Sequence, residues 1–462
     1  MAFEFVNNTT IDRNARRLIR SHAAKGKNVG KTHPSRRRRA AMKAKTTKPD
    51  NKTTELISRH ESAVVSTTHS QLDYSLFAYS LPIELPPGSG TLVQKVFSFL
   101  SGVPYTDGLG NVVDFAQAGS IWIEFLFLDE AYFHCSIAMC LAAVDSLIVT
   151  REESVEAMHH VSSSLRLVKE RLSGEKALAD TTMATVVAMI QYERLCGQYY
   201  QALVHFEGLQ EMVRLRGRIA HLRKSKPALV QKIFRVDLEL SLYLGPSTRF
   251  KADEVPGATA IDWLRKGFGE PQIRHLLKSY PLTQLNPQLQ DVFIDIMSLA
   301  WFLNGNVGDG TRLDGYTYHN ILILIGYRLI HLRSLDGPPL ADRLENAIHI
   351  GLLMFMTTFL LSLSHKLPNV PLLRELVRAL VQEEFDEDAG SEDVLLWVLF
   401  IGKISIFKGR EDAWLVQRAS RIMSTLDLRN WDDVCQVISK FPFVCSLHGS
   451  SGQSFWNQLN HI

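Results

Sequence analysis

At 462 residues and 46% hydrophobic side chains, the chain can bury a large core, which excludes a wholly disordered protein. The formal net charge of +3 conceals an asymmetry: residues 1–52 hold fifteen Lys/Arg against three Asp/Glu, a local balance of +12, so the remainder carries −9. Five scattered cysteines (Cys135, Cys140, Cys196, Cys435 and Cys445) exclude a disulfide framework and read as buried free thiols of a reducing compartment. The start, MAFEFVNNTT, lacks a charged and then apolar leader, so no secretory signal is expected.

In chain order, residues 1–70 come first: poor in large apolar side chains, they are expected to be a disordered basic arm. Within it, DRNARRLIRSHAAK (12–25) places Arg13, Arg16, Arg17 and Arg20 on one face of a short helix that would form on binding. KTHPSRRRRAAMKAK (31–45) then sets Arg36, Arg37, Arg38 and Arg39 before Lys43 and Lys45, with no acidic residue. Such a run suits the acidic groove of a nuclear-import receptor, weak salt-sensitive contact with DNA phosphates, or both, or else a solubilising tail. No aromatic residue lies between Phe5 and Tyr74, so stacking on single-stranded bases is not expected.

From residue 71 to 462 the pattern becomes helical. Helices are predicted over 91–101, 117–128, 130–149, 153–172, 177–195, 198–216, 226–243, 258–268, 271–279, 286–303, 317–334, 341–364, 371–384, 391–407, 410–425 and 431–441. No series of strands and no fixed-length repeat appears, and 306–320 reads as an ordinary interhelical loop. AIHIGLLMFMTTFLLSL (347–363) is short for a membrane span and reads as a buried central helix.

Chemical motifs are sparse. His134, Cys135 and Cys140 sit together in an apolar helix, where a core thiol and histidine are a better reading than metal ligands. PPGSGT (86–91) and DGLGN (107–111) lack the third glycine and the Lys-Ser/Thr of phosphate loops. HFE (205–207) is half of a deaminase signature, and His159 and His160 beside Ser162–Ser164 do not by themselves assemble a triad. No catalytic, metal or cofactor residue is assigned and no cofactor is expected.

Several stretches taken together resemble the fungal-specific transcription factor regulatory domain family. In 177–222 the carriers are His205, Gly208, Leu209, Arg216 and Gly217, followed by Asp237 and Phe250 in 232–250. The stretches 312–332, 395–415 and 426–444 are similar to its central and closing helices, with Trp397, Gly402, Trp414 and Trp431. FVN (5–7) and IRSHAAK (19–25) resemble the opening of a subgroup lacking the zinc cluster. Arg218 departs from the family pattern, which has a second glycine there, and puts the geometry of that turn in doubt.

The resemblance implies an all-α multi-helix regulatory domain over 71–462, in a nuclear regulator or co-regulator of transcription for a pathway such as secondary metabolism. Its partners would be an import receptor, DNA held weakly, and other transcription proteins, with homo- or heterodimerisation and no membrane. The alternatives are a helical interaction scaffold without a direct DNA role and a divergent enzyme.

Overall fold

The computed structural model describes residues 81–82, 90–101, 108–115, 120–145, 155–306, 310–360, 370–382, 391–407 and 413–459. The expected disordered arm, its short helix and its basic run lie outside these residues. Among the described residues the fold is all-α, with eighteen α-helices, two 3-10 turns and one pair of two-residue strands.

The first layer is built from α1 (Gly90–Ser101), α2 (Ser120–Leu128), α3 (Glu130–Asp145), α4 (Val155–Leu172), α5 (Asp180–Leu195) and α6 (Tyr199–Leu215). Helix α3 is its hub, packed against α1, α2, α4 and α5, while α5 also packs on α6. That position explains why α3 has no polar stripe: Tyr132, Phe133, Ile137 and Met139 are buried on different sides of it. Cys135 and Cys140 are buried here as expected, whereas Cys445 is exposed, a correction to the reading of all five as core thiols.

A short helix, α7 (Arg218–Ser225), leads into α8 (Pro227–Leu244), whose first residue is a proline suited to a helix start. Next come α9 (Ala258–Phe268), α10 (Glu270–Lys278), α11 (Pro287–Leu303) and α12 (Gly315–Leu332). Asn286 and Asp314 cap α11 and α12, their side chains accepting from the N–H of Leu289 and Thr317 at 2.9 Å each. Helix α12 crosses α8 closely enough that a Cβ on Gly326 would lie 2.5 Å from a methyl of Leu238. Ion pairs join this group: Arg265 and Arg328 both clasp the half-exposed Asp291 and Asp295, whose side chain is fully buried.

The closing group comprises α13 (Arg343–Thr357), α14 (Pro371–Gln382), α15 (Ser391–Ser405), α16 (Ala413–Thr425), α17 (Trp431–Ile438) and α18 (Cys445–Leu459). Helix α15 is enclosed by α13, α16, α17 and α18, so Val394 to Ile401 are buried without interruption. Trp397 stacks on Phe441 and donates its indole N–H to the Pro442 carbonyl at 3.0 Å. Facing it, Gly351 of α13 leaves no room: an added Cβ would lie 2.2 Å from the Trp397 ring.

The apolar run 347–363 is thus a buried helix over its described part, and no helix among the described residues is long and apolar enough to cross a membrane. It ends at 357 rather than 364. The hydroxyls of Thr357 and Thr358 donate back to the Met354 and Phe355 carbonyls at 2.7 and 2.6 Å, and the backbone bonds there tighten to i→i−3. Segment 306–320 is more than a loop, because Leu313–Asp314 pair in parallel with Val113–Asp114. Arg312 secures that bridge by donating to the Gly110 and Val113 carbonyls at 2.7 and 3.2 Å.

Candidate functional site

The residues that carry the family resemblance divide into a turn, a buried knot and a polar interior. At the turn, Arg216 donates to the Leu178 carbonyl at 3.0 Å and pairs with Asp180, which Lys226 also approaches at 3.1 Å. One carboxylate thus fastens the start of α5 to both ends of α7. Gly217 and Arg218 then take φ of +91° and +69° in succession, reversing the chain between α6 and α7. The left-handed geometry is kept although Arg218 replaces the expected glycine, at a cost on the order of 1 kcal/mol.

His205 lies 3.8 Å from Glu193 and Leu209 is buried, but a Cβ at Gly208 would meet nothing within 4 Å. Beside this turn is an open cleft of about 370 Å³, lined by Glu207, Gln210, Arg214, Arg218 and Glu254 among others.

The knot is centred on Asp237, which is fully buried on α8. Its carboxylate accepts from the N–H of Arg249 at 2.9 Å, the N–H of Phe250 at 3.1 Å and the Tyr327 hydroxyl at 2.8 Å. Burial raises its pKa, opposed by those donors. Phe250 stands edge-on to Phe206 and Phe234, with centroids 6.3 and 5.6 Å apart. Asp237 and Phe250 therefore join α6, α8, α12 and the 249–250 segment, and their role is to hold the fold.

The polar interior runs along α8, where it packs on α5 and on α12. Glu239, 5% exposed, pairs with Arg194 of α5 and, at 2.9 Å, with Arg235 one turn before it. Gln231 donates to the Tyr316 carbonyl and to the Asn320 amide oxygen, both at 2.8 Å. Lys232 reaches over the Trp122 ring at 5.4 Å, with no carboxylate within salt-bridge distance among the described residues. Burial, then the neighbouring Arg235, push its pKa down to about 8. His319 is held well below the usual histidine range by burial and by the charges of Arg235 and Lys232.

The sequence reading missed this cluster. Its signal is the spacing 232, 235, 239, which puts three charged residues on one side of an otherwise apolar helix.

The arm residues Arg13, Arg16, Arg17, Arg20, Arg36, Arg37, Arg38, Arg39, Lys43 and Lys45 lie outside the described residues. Trp397, Gly402, Trp414 and Trp431 are packing elements: Trp414 meets Phe407, and Trp431 lies against Phe400. Ser164 donates its hydroxyl to the Ala131 carbonyl rather than to a histidine. The histidine neighbours are instead His134 and His160, whose Nδ1 atoms are 2.7 Å apart, and burial lowers the pKa of each. Among the described residues, no group of three or more His, Cys, Asp or Glu is arranged to hold a metal ion.

Residues 94–238, from α1 into α8, match the family model described as fungal specific transcription factor domain. The match takes in the turn and Asp237, and all three cationic side chains of the polar interior. The resemblance read in the sequence is thereby shown for this segment, about a third of the chain. No curated protein and no solved structure gives a significant match.

Proposed function

We propose that the chain is a fungal transcriptional regulator or co-regulator acting without a zinc cluster of its own, for a pathway of the secondary-metabolite kind. The observation that carries the reading is the family match over residues 94–238. In this reading residues 1–70 form a separate basic arm, and Arg36 to Arg39 with Lys43 and Lys45 present its charge to an import receptor. The same arginines, with Arg13, Arg16, Arg17 and Arg20, add weak, salt-sensitive contact with DNA. The helical body is the non-enzymatic part, binding other transcription proteins or a second copy. Target choice then comes from the body and its partners, since residues 1–70 contain no cysteine for a zinc cluster and residues 6–70 no aromatic reader.

Deleting the gene is expected to change a coherent set of transcripts, and an unchanged transcriptome contradicts the regulator reading. A fluorescent fusion is expected in the nucleus, and replacing Arg36 to Arg39 with alanine should move it to the cytoplasm. Unchanged nuclear signal in that variant removes the role given to the arm.

A further inference from the structure

Helix α4 is fastened on its inner side and open on its outer one. Ala157, His160, Ser164 and Val168 are buried where the helix packs on α3 and α5. Three tethers fix its rotation: His160 to His134 at 2.7 Å, Ser164 to the Ala131 carbonyl at 2.8 Å and Arg171 to Asp129 at 2.7 Å. The opposite side presents Val155, Met158, Leu165 and Leu172, which are 78%, 39%, 40% and 53% exposed. With the exposed Ser162 and Lys169 they follow one another at steps of 3, 4, 3, 4 and 3 residues. That is the spacing of a coiled-coil seam, with Val155, Ser162 and Lys169 at the a positions and Met158, Leu165 and Leu172 at the d positions. The seam is about 26 Å long. On α6, by contrast, Tyr200 and Val204 are separated from Leu215 by the exposed Glu207, Gly208 and Glu211, so no continuous seam forms.

The seam is complementary to itself when read backwards. In an antiparallel pair each a residue faces a d residue of the other helix, so Val155 meets Leu172 of the second copy, Met158 meets Lys169 and Ser162 meets Leu165. Each layer fits: two aliphatic side chains, a thioether against a lysine stem whose ammonium reaches water, and a small residue against a large one. A parallel pair would set Lys169 against its own copy. The antiparallel one instead brings the end bearing Glu156 towards the end bearing Arg166 and Lys169, and it opposes the helix dipoles. The basic arm suits this face poorly, because its balance of +12 over residues 1–52 would meet Arg166 and Lys169. Two and a half heptads are marginal for isolated helices, but α4 is already held on α3 and need not be ordered on pairing.

We propose that the outer face of α4 is a homodimer interface, along which two copies of the chain pair antiparallel through Val155, Met158, Ser162, Leu165, Lys169 and Leu172. The proposal deepens the regulator reading by choosing a second copy as a partner of the body and giving it a place. It is nevertheless measured on the purified chain: a monomer with a coherent transcript change sinks the interface and keeps the regulator, and a dimer without a transcript change does the reverse.

The test is sedimentation velocity of the full chain over a concentration series. A dimer with a Kd on the order of micromolar is expected, as suits an interface of this modest size. Leu165→Asp sets a carboxylate near the two-fold centre and should raise that Kd about a hundredfold or more, with the urea midpoint of the monomer unchanged because Leu165 is exposed. The direction of pairing is read by cross-linking in a Cys445→Ser background, which removes an exposed thiol. Val155→Cys and Leu172→Cys chains should form a disulfide-linked dimer when mixed and oxidised, and neither should do so alone. The proposal is overturned if the parent stays monomeric at high concentration, which would leave the seam to a partner of another sequence, or if Leu165→Asp dimerises as well as the parent. It is equally overturned if either cysteine chain cross-links alone, the mark of a different register or a parallel pair, or if the mixture does not cross-link.

Discussion

The apolar centre around Trp397 and the polar interior around Glu239 are both buried, and they are satisfied in opposite ways. Around Trp397 the fit is steric: the indole donates to Pro442, and Gly351 gives way to the ring with no space to spare. Around Glu239 the fit is electrostatic: one carboxylate serves two arginines, and the buried Arg194 Nε–H is left without an acceptor. Close packing fixes the one centre, and a shared carboxylate fixes the other.

The largest effect expected on this contrast is that of acid on the apolar side. His349 on α13 and His448 on α18 are buried, and burial brings their pKa values down to about 4 and about 3. The His448 Nδ1 accepts the Val444 N–H at 3.0 Å, so the neutral ring is the one that fits. Because the folded values lie below the ordinary value of 6.5, their contribution is complete above about pH 6.5 and is lost as pH falls towards 4 and 3. At pH 5 each should cost about 2 kcal/mol relative to pH 7.5, measured as the shift in urea-unfolding free energy. A stability independent of pH over that range contradicts the buried neutral histidines.

Gly351→Ala comes next. It pushes a methyl into the Trp397 ring and should cost about 3 kcal/mol by the same measurement. A neutral result would mean that the centre is looser than described. The smallest effect belongs to the turn between α6 and α7, where Arg218 holds φ of +69°. Arg218→Gly should stabilise by about 0.5 kcal/mol, the relief of left-handed strain less the added entropy of the unfolded chain. Loss of stability would show that the arginine side chain contributes more than its backbone costs.

Much of the helical layout was legible because apolar period and caps agree: 258–268 matches α9 to the residue, and α11 and α13 begin just after Asn286 and Asp342. Two helices were missed for reasons that are physical. Helix α7 is entered through left-handed geometry at Gly217 and at its own first residue, Arg218, which no periodicity announces, and α18 reads CSLHGSSGQSFWNQL, whose glycines and serines have low helix propensity. Its formation depends on tertiary packing, with Gly452 pressed against Trp431 and His448 buried. The two-residue bridge between 113–114 and 313–314 joins segments two hundred residues apart and has no local signal.

The resemblance found the turn, Asp237 and Phe250 by residue type, yet only the fold shows that Asp237 is a hydrogen-bonding knot and that Arg218 adopts the conformation of the glycine it replaces. The polar interior was missed because Lys232, Arg235 and Glu239 look like an ordinary solvated stripe until α5 and α12 are seen to cover them.

The most direct test of the contrast is the urea-unfolding free energy of Lys232→Met. If Glu239 is held by Arg194 and Arg235 alone, the variant is as stable as the parent or about 1 kcal/mol more stable, since a partly buried ammonium without an ion pair has been replaced by an apolar chain of similar length. A loss of about 2 kcal/mol or more would show the ammonium to be satisfied within the fold, and would contradict the account.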